Sequence, residues 1–139
     1  MRTLIIHASE FSYNIKQRVK IPIVEDVDEG QTYEFRNCLV IFVSVEKDDI
    51  TRLREIKGRF DEDIAVVMGQ VNAESAVIYP YAHLSSNLSD PRNAIRVLKR
   101  LEDELKARGV SVHRSPFGWY KEFKLHCLGH PLSELSRSF

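Results

Sequence analysis

The run CLVIFVSV at 38–45 constrains the fold more than any other stretch, because it is almost wholly apolar, rich in β-branched residues and free of polar alternation. Such a segment is stable as a strand only when both of its faces are covered, so it predicts a central strand in a sheet with material packed on each side. TLIIHA at 3–8 is a second strand of the same kind, and FSYNIKQRVKI at 11–21 is a partly exposed one. PIVEDVDEGQTYE, 22–34, mixes proline, glycine and acids and predicts a loop that leads into a further strand.

Helical spacing appears after this. From Asp49 to Val71 the apolar residues Leu53, Ile56, Phe60, Ile64, Val67 and Val71 fall three or four apart, which places one stripe on a helix that Gly58 is positioned to kink or divide. Asp90 caps a second helix with Pro91 in its first turn, Ile95, Leu98, Leu101 and Leu105 as its buried stripe, and Gly109 as its stop. SAVIYPYA at 75–82, VSVHR at 110–114 and WYKEFKLHC at 119–127 read as strands, and LSELSR at 132–137 as one short helix after a turn. These elements predict an α/β chain of the α+β type, a mixed sheet with two main helices packed against it, forming one domain over 1–139.

A chain of 139 residues can bury one sizeable core without staples. It has no apolar run of about 20 residues to span a bilayer and no signal-peptide pattern at its start, and its two cysteines suggest no disulfide framework. A cytoplasmic location is expected, with no membrane partner. Net charge is zero, but residues 1–89 hold 10 Lys+Arg against 14 Asp+Glu while 90–139 hold 10 against 6. A basic second half attracts phosphate backbones, although ordinary solvated helices carry similar excesses.

The candidate chemistry is polar residues set into apolar strands. Lys121 lies on the same face of 119–127 as Trp119, Phe123, Leu125 and Cys127, so it either snorkels to the surface or lines a polar pocket. His83 follows a buried strand, where imidazole serves either as a satisfied structural group or as a general base. Phe117, Gly118, Trp119 and Tyr120 make an aromatic turn fit for a pocket wall, a stacking platform or plain core packing. Glu134, in the predicted short helix, is unremarkable without polar company. His126, Cys127 and His130 lie close in sequence, with His83 and Cys38 elsewhere, but neighbours on a strand point to opposite faces and the paired spacing of structural zinc sites is missing. No metal or other cofactor is expected. Nucleophile-elbow, P-loop and dinucleotide fingerprints are absent too.

LIIHA at 4–8, FVSVEK at 42–47, VIYPYAHLSS at 77–86 and SPFGWYKEFKLHCLGHPLSELSR at 115–137 resemble the N-terminal editing domain of archaeal threonyl-tRNA synthetases, which has the fold of D-aminoacyl-tRNA deacylases. The resemblance spans essentially the whole chain but is poor over 22–36 and in the helix after Lys47. It implies hydrolysis of the L-seryl ester from threonine's tRNA, by a water assisted by the tRNA's terminal 2′-hydroxyl. Such proofreading has a physical reason: a missing methylene-sized group is worth roughly 1–3 kcal/mol, or ~10–200-fold, in discrimination. By position the resemblance implies that Lys121, His83, Tyr120 and Glu134 are catalytic, and that Val45, Ala82, Pro116, Phe117, Gly118 and Cys127 surround the substrate. It also implies seryl-tRNA(Thr) and the rest of a threonyl-tRNA synthetase, or a separate synthetase, as partners, and a homodimer that covers exposed sheet. Two rivals stay open: a D-aminoacyl-tRNA deacylase and a noncatalytic tRNA-binding appendage.

Overall fold

In the computed structural model, which describes residues 1–139, the elements are β1 (Arg2–Arg18), β2 (Thr32–Ser44), α1 (Leu53–Val71), β3 (Ser75–Pro80), α2 (Pro91–Ala107), β4 (Val112–Arg114), β5 (Trp119–Cys127) and β6 (Glu134–Ser138). One sheet runs in the order β4-β3-β2-β1-β5, with β6 also paired to β1. β1 is antiparallel to β2, β5 and β6, while β2–β3 and β3–β4 are parallel, so the sheet is mixed as expected. The apolar run 38–44 lies in β2, between β1 and β3, and Cys38 through Ser44 are all buried.

Four differences separate the structure from the sequence reading, most of them with local causes. The two strands expected at 3–8 and 11–21 are one strand, whose register against β5 shifts between Ala8 and Glu10 and again between Ile15 and Gln17. Irregularities of this kind bend a strand without ending it, and Ser9–Glu10 breaks the apolar pattern only because the bend lies there. α1 begins at Leu53 rather than Asp49, because the Asp49 carboxylate is engaged by the Glu46 N–H at 2.6 Å and the Met1 amine at 2.7 Å instead of capping a helix. Gly58 does not divide that helix, which is continuous to Val71. The short helix expected at 132–137 is strand β6, paired with Arg2–Ile6. Leu132 and Leu135 imitate helical spacing, but pairing satisfies backbone groups that an uncovered end of β1 would expose as an edge.

Helix α2 starts as its residues dictate, with the Asp90 carboxylate accepting the Arg92 and Asn93 N–H groups at 3.1 Å and Pro91 next to it. Both helices cover one face of the sheet, where Ile56, Phe60, Ile64, Val97, Leu98 and Leu101 pack on Leu39, Ile41 and Ile78. Each such side chain, fully buried, contributes roughly 1.5–3 kcal/mol. The opposite face is aromatic instead: Phe11, Tyr13, Phe42 and Tyr79 are buried there, with Phe35, Tyr33 and Trp119 packed at their margin.

Candidate functional site

At the end of the sheet beside the N-terminus of α2, a cavity of about 580 Å³ opens between the residues after β3, the 116–120 turn and the start of β5. Its walls are mostly apolar, and Lys121 is its half-buried cation. β5 places Lys121 opposite Ile15 of β1, so strand alternation turns its side chain inward with Trp119 and Phe123. Its Nζ donates to the Pro116 carbonyl at 2.7 Å and stands 5.0 Å from the centre of the Tyr79 ring. Burial lowers the amine's pKa to about 8, with the Glu25 carboxylate opposing the shift. An ammonium has three N–H donors. One carbonyl takes one of them, which leaves two for a ligand in the cavity.

The loop carrying His83 is clipped to the end of β2. Tyr81 N–H bonds the Val43 carbonyl and Ser89 N–H bonds the Val45 carbonyl, each at 2.9 Å. Ser44 Oγ donates to the Tyr81 carbonyl and accepts the Leu84 N–H at 3.2 Å. A single helical turn at Ala82–Leu84 then exposes Ala82 and His83 at the mouth, the His83 ring edge-on to Tyr81 at 4.9 Å.

The 116–119 turn is held as tightly. Gly118 adopts φ +88°, and a Cβ there would approach Val24 Cγ2 at 2.9 Å, so both backbone conformation and packing require glycine. Its carbonyl accepts the Val19 N–H at 2.8 Å. Arg114, 11% exposed, donates to both oxygens of Glu25 and to Glu102. Although burial opposes ionisation of Glu25, its bonds to Arg114 and to the Phe117 N–H hold its carboxyl below the usual range.

The cavity thus gathers Val45, Ala82, His83, Phe117, Gly118, Tyr120 and Lys121, while Pro116 takes part through its carbonyl. Cys127 and Glu134 are elsewhere in the chain. Cys127 Sγ lies 3.6 Å from Ser133 Oγ, and Glu134 is exposed on β6 opposite Ile6. Sequence reasoning missed Tyr79 beneath the amine, Ser44, which pins the His83 loop, and Glu25. Ser44 carried a signal, a lone hydroxyl closing an apolar run. Glu25 sits in an acid-rich loop and carried none.

A second polar cluster occupies the other end of β5. Leu132 N–H donates to His130 Nδ1 at 3.2 Å, so the His130 proton resides on Nε2, which donates to His7 Nδ1 at 2.7 Å. His7 Nε2–H in turn donates to Asn37 Oδ1 at 2.8 Å. His126 is exposed on the outer face of β5, and no three His, Cys, Asp or Glu side chains converge in a metal-holding arrangement.

Over residues 1–139 the chain matches the family described as the archaea-specific editing domain of threonyl-tRNA synthetase. It is 50% identical over 139 residues to a threonine–tRNA ligase editing subunit of Saccharolobus solfataricus, covering 99% of this chain and 34% of that protein. It is 46% identical over 139 residues to a threonine–tRNA ligase of Methanobrevibacter smithii, covering 99% of this chain and 22% of that one. The chain therefore spans about a third or less of these relatives. Among solved structures, the c-Myc DNA unwinding element binding protein superposes with a TM-score of 0.68 at 11% identity, covering 100% of this chain and 99% of that one. The deacylase-like fold expected from the sequence is the fold of the chain.

Proposed function

Because the chain belongs to the archaea-specific editing-domain family of threonyl-tRNA synthetase, we propose that it proofreads by hydrolysing the L-seryl ester of tRNA(Thr) in the cavity beside Lys121. The observation that carries this reading is an ammonium with two free donors in a mostly apolar pocket. An ester carbonyl entering it accepts from Nζ, and the donor strengthens its hold as negative charge develops on that oxygen. Water attacks with help from the 2′-hydroxyl of the terminal ribose, His83 and Tyr120 standing at the mouth where that ribose rests. Val45, Ala82, Pro116, Phe117 and Gly118 limit the size of the side chain admitted.

The RNA partner is supported by charge at the mouth. Lys16 is paired with Glu122 and Lys99 with Glu25, whereas Arg18, Lys20 and Arg92 are exposed beside cavity residues and engage no carboxylate. Glu134 and Cys127 enter the site only if a second copy supplies them, so their roles and the homodimer stand together. The β5 edge with its exposed Tyr120 and Phe123 is the surface such a copy has to cover. The threonyl-tRNA synthetase that charges the tRNA is the working partner, in the cytoplasm. No helix is long and apolar enough to cross a membrane.

The deciding experiment offers the protein L-seryl-, L-threonyl- and D-aminoacyl-tRNA and measures amino-acid release in single turnovers. Rapid release of L-serine alone is expected. Release of only D-amino acids makes the chain a D-aminoacyl deacylase, and salt-sensitive binding without any release makes it an RNA-binding appendage.

A further inference from the structure

Deepening that reading, and resting on it for the reaction concerned, we propose that Glu25 is a positioning residue for Lys121, which fixes the 116–119 turn that holds the lysine and supplies a carboxylate charge that favours its ammonium form. Glu25 lies in the connection between β1 and β2, remote in sequence from everything it holds. Its carboxylate accepts the Phe117 N–H at 2.9 Å and Arg114 at 2.5 and 2.8 Å. Its own N–H donates to the Phe117 carbonyl at 3.1 Å, and its carbonyl accepts the Trp119 indole N–H at 2.8 Å. Both polar backbone groups of Phe117 and the side chain of Trp119 are thus tied to one residue. On the other side of Pro116, the buried Ser115 donates its N–H to the Ile78 carbonyl at 2.9 Å.

Pinned from both sides, the Pro116 carbonyl has one orientation, and that carbonyl is the only hydrogen-bond partner of Lys121 Nζ. The remaining N–H groups are aimed by the same bond. The charges around the amine are few. Arg114 and Lys99 face Glu25 itself, Glu102 faces Arg114, and the rest of the neighbourhood is the phenols of Tyr79, Tyr81 and Tyr120 and the imidazole of His83. Glu25 therefore carries the charge that opposes the desolvation of Lys121. Its acceptor and its charge act on the same atom by two routes.

Glu25→Gln keeps the size and an acceptor for Phe117 N–H and removes the charge. In the unliganded protein, the Lys121 Cε–H NMR signals should titrate at lower pH than in the wild type. Single-turnover seryl-tRNA deacylation should fall by up to ~100-fold at neutral pH, with KM little changed and the rate partly recovered as the pH is lowered. A merely structural role lowers the rate equally at every pH and leaves the Lys121 titration in place, and either result in a folded variant overturns the proposal. Should the single change unfold the chain by leaving Arg114 unpaired, Glu25→Gln with Arg114→Met removes both charges and is held to the same titration. Absence of any deacylation by the wild-type protein defeats the editing reading, while the NMR titration still decides whether Glu25 governs Lys121.

Discussion

Two polar clusters lie near opposite ends of β5, and they differ in how much bonding capacity is left over. At one end His130, His7 and Asn37 form a closed chain in which each ring nitrogen has a partner, and Asn37 passes its own N–H to the Asn72 carbonyl at 2.9 Å. At the other end Lys121 has one carbonyl partner, an apolar wall and about 580 Å³ of space. In sequence the histidine-rich end lacked the spacing of a metal site, and Lys121 was already the residue singled out. Buried polar groups that satisfy one another stabilise and specify a fold. Those kept short of partners in a cavity are available to a ligand.

The sharpest way to break the comparison is Lys121→Met, which keeps length and removes the donors. Seryl-tRNA deacylation should drop by roughly 100–1,000-fold, the loss typical of one oxyanion donor, with tRNA binding retained. The same substitution should raise the thermal midpoint at pH 7. The folded-state pKa lies below that of an unfolded lysine, so the partly desolvated ammonium costs stability below about pH 8, and the cost is relieved as pH rises above it. Calorimetry showing a lower midpoint, or near-normal turnover, would place Lys121 among the structural groups.

A pH profile tests which protonation state is used. If the ammonium is the working form, the rate corrected for spontaneous ester hydrolysis falls as pH rises through about 8, approaching ~tenfold per unit. A rate that climbs through the same pH makes the neutral amine a general base instead.

How far these ends could be told apart in sequence depended on periodicity. Strand alternation over 119–127 was enough to turn Lys121 inward, and the Asp90–Pro91 pair was enough to start α2. What escaped was non-local. Glu25 meets Arg114 and Phe117 across about ninety residues of chain, and no pattern within the 22–34 loop distinguishes it from Asp26, Asp28 or Glu29. β6 was misread because five residues are too few to separate a period of two from one of 3.6, and the deciding fact was the open edge of β1. His7, His130 and Asn37 come from three separate segments, so their mutual satisfaction was likewise invisible.

Asn37→Ala challenges the closed end. It strands the His7 Nε2–H in a nearly buried site and places alanine at φ +41°. Denaturant unfolding should show a loss of about 1–3 kcal/mol, with the deacylation rate of the folded protein unchanged, and chelating agents should have no effect on either. A zinc-restorable loss of activity after chelation would instead turn this end into a metal site.

The smallest effect belongs to the rim of the open end, where cations without partners should serve the RNA rather than the fold. Elsewhere Arg137 pairs with Asp63 at 3.2 Å and Arg59 with Glu55 at 3.3 Å, whereas Arg92 is exposed one residue from the cavity-lining Pro91. A cation that neutralises a phosphate releases counterions, and its contribution is read as a slope against salt rather than as a rate. Arg92→Ala should therefore weaken tRNA binding a few-fold, reduce the magnitude of the salt slope by about one, and leave the single-turnover rate at saturating protein unaltered. Arg59→Ala, removing a cation already paired, is the control that should leave the slope as it was. Equal slopes for both variants would move the RNA footprint away from this rim and leave the cavity to be approached from the β5 edge.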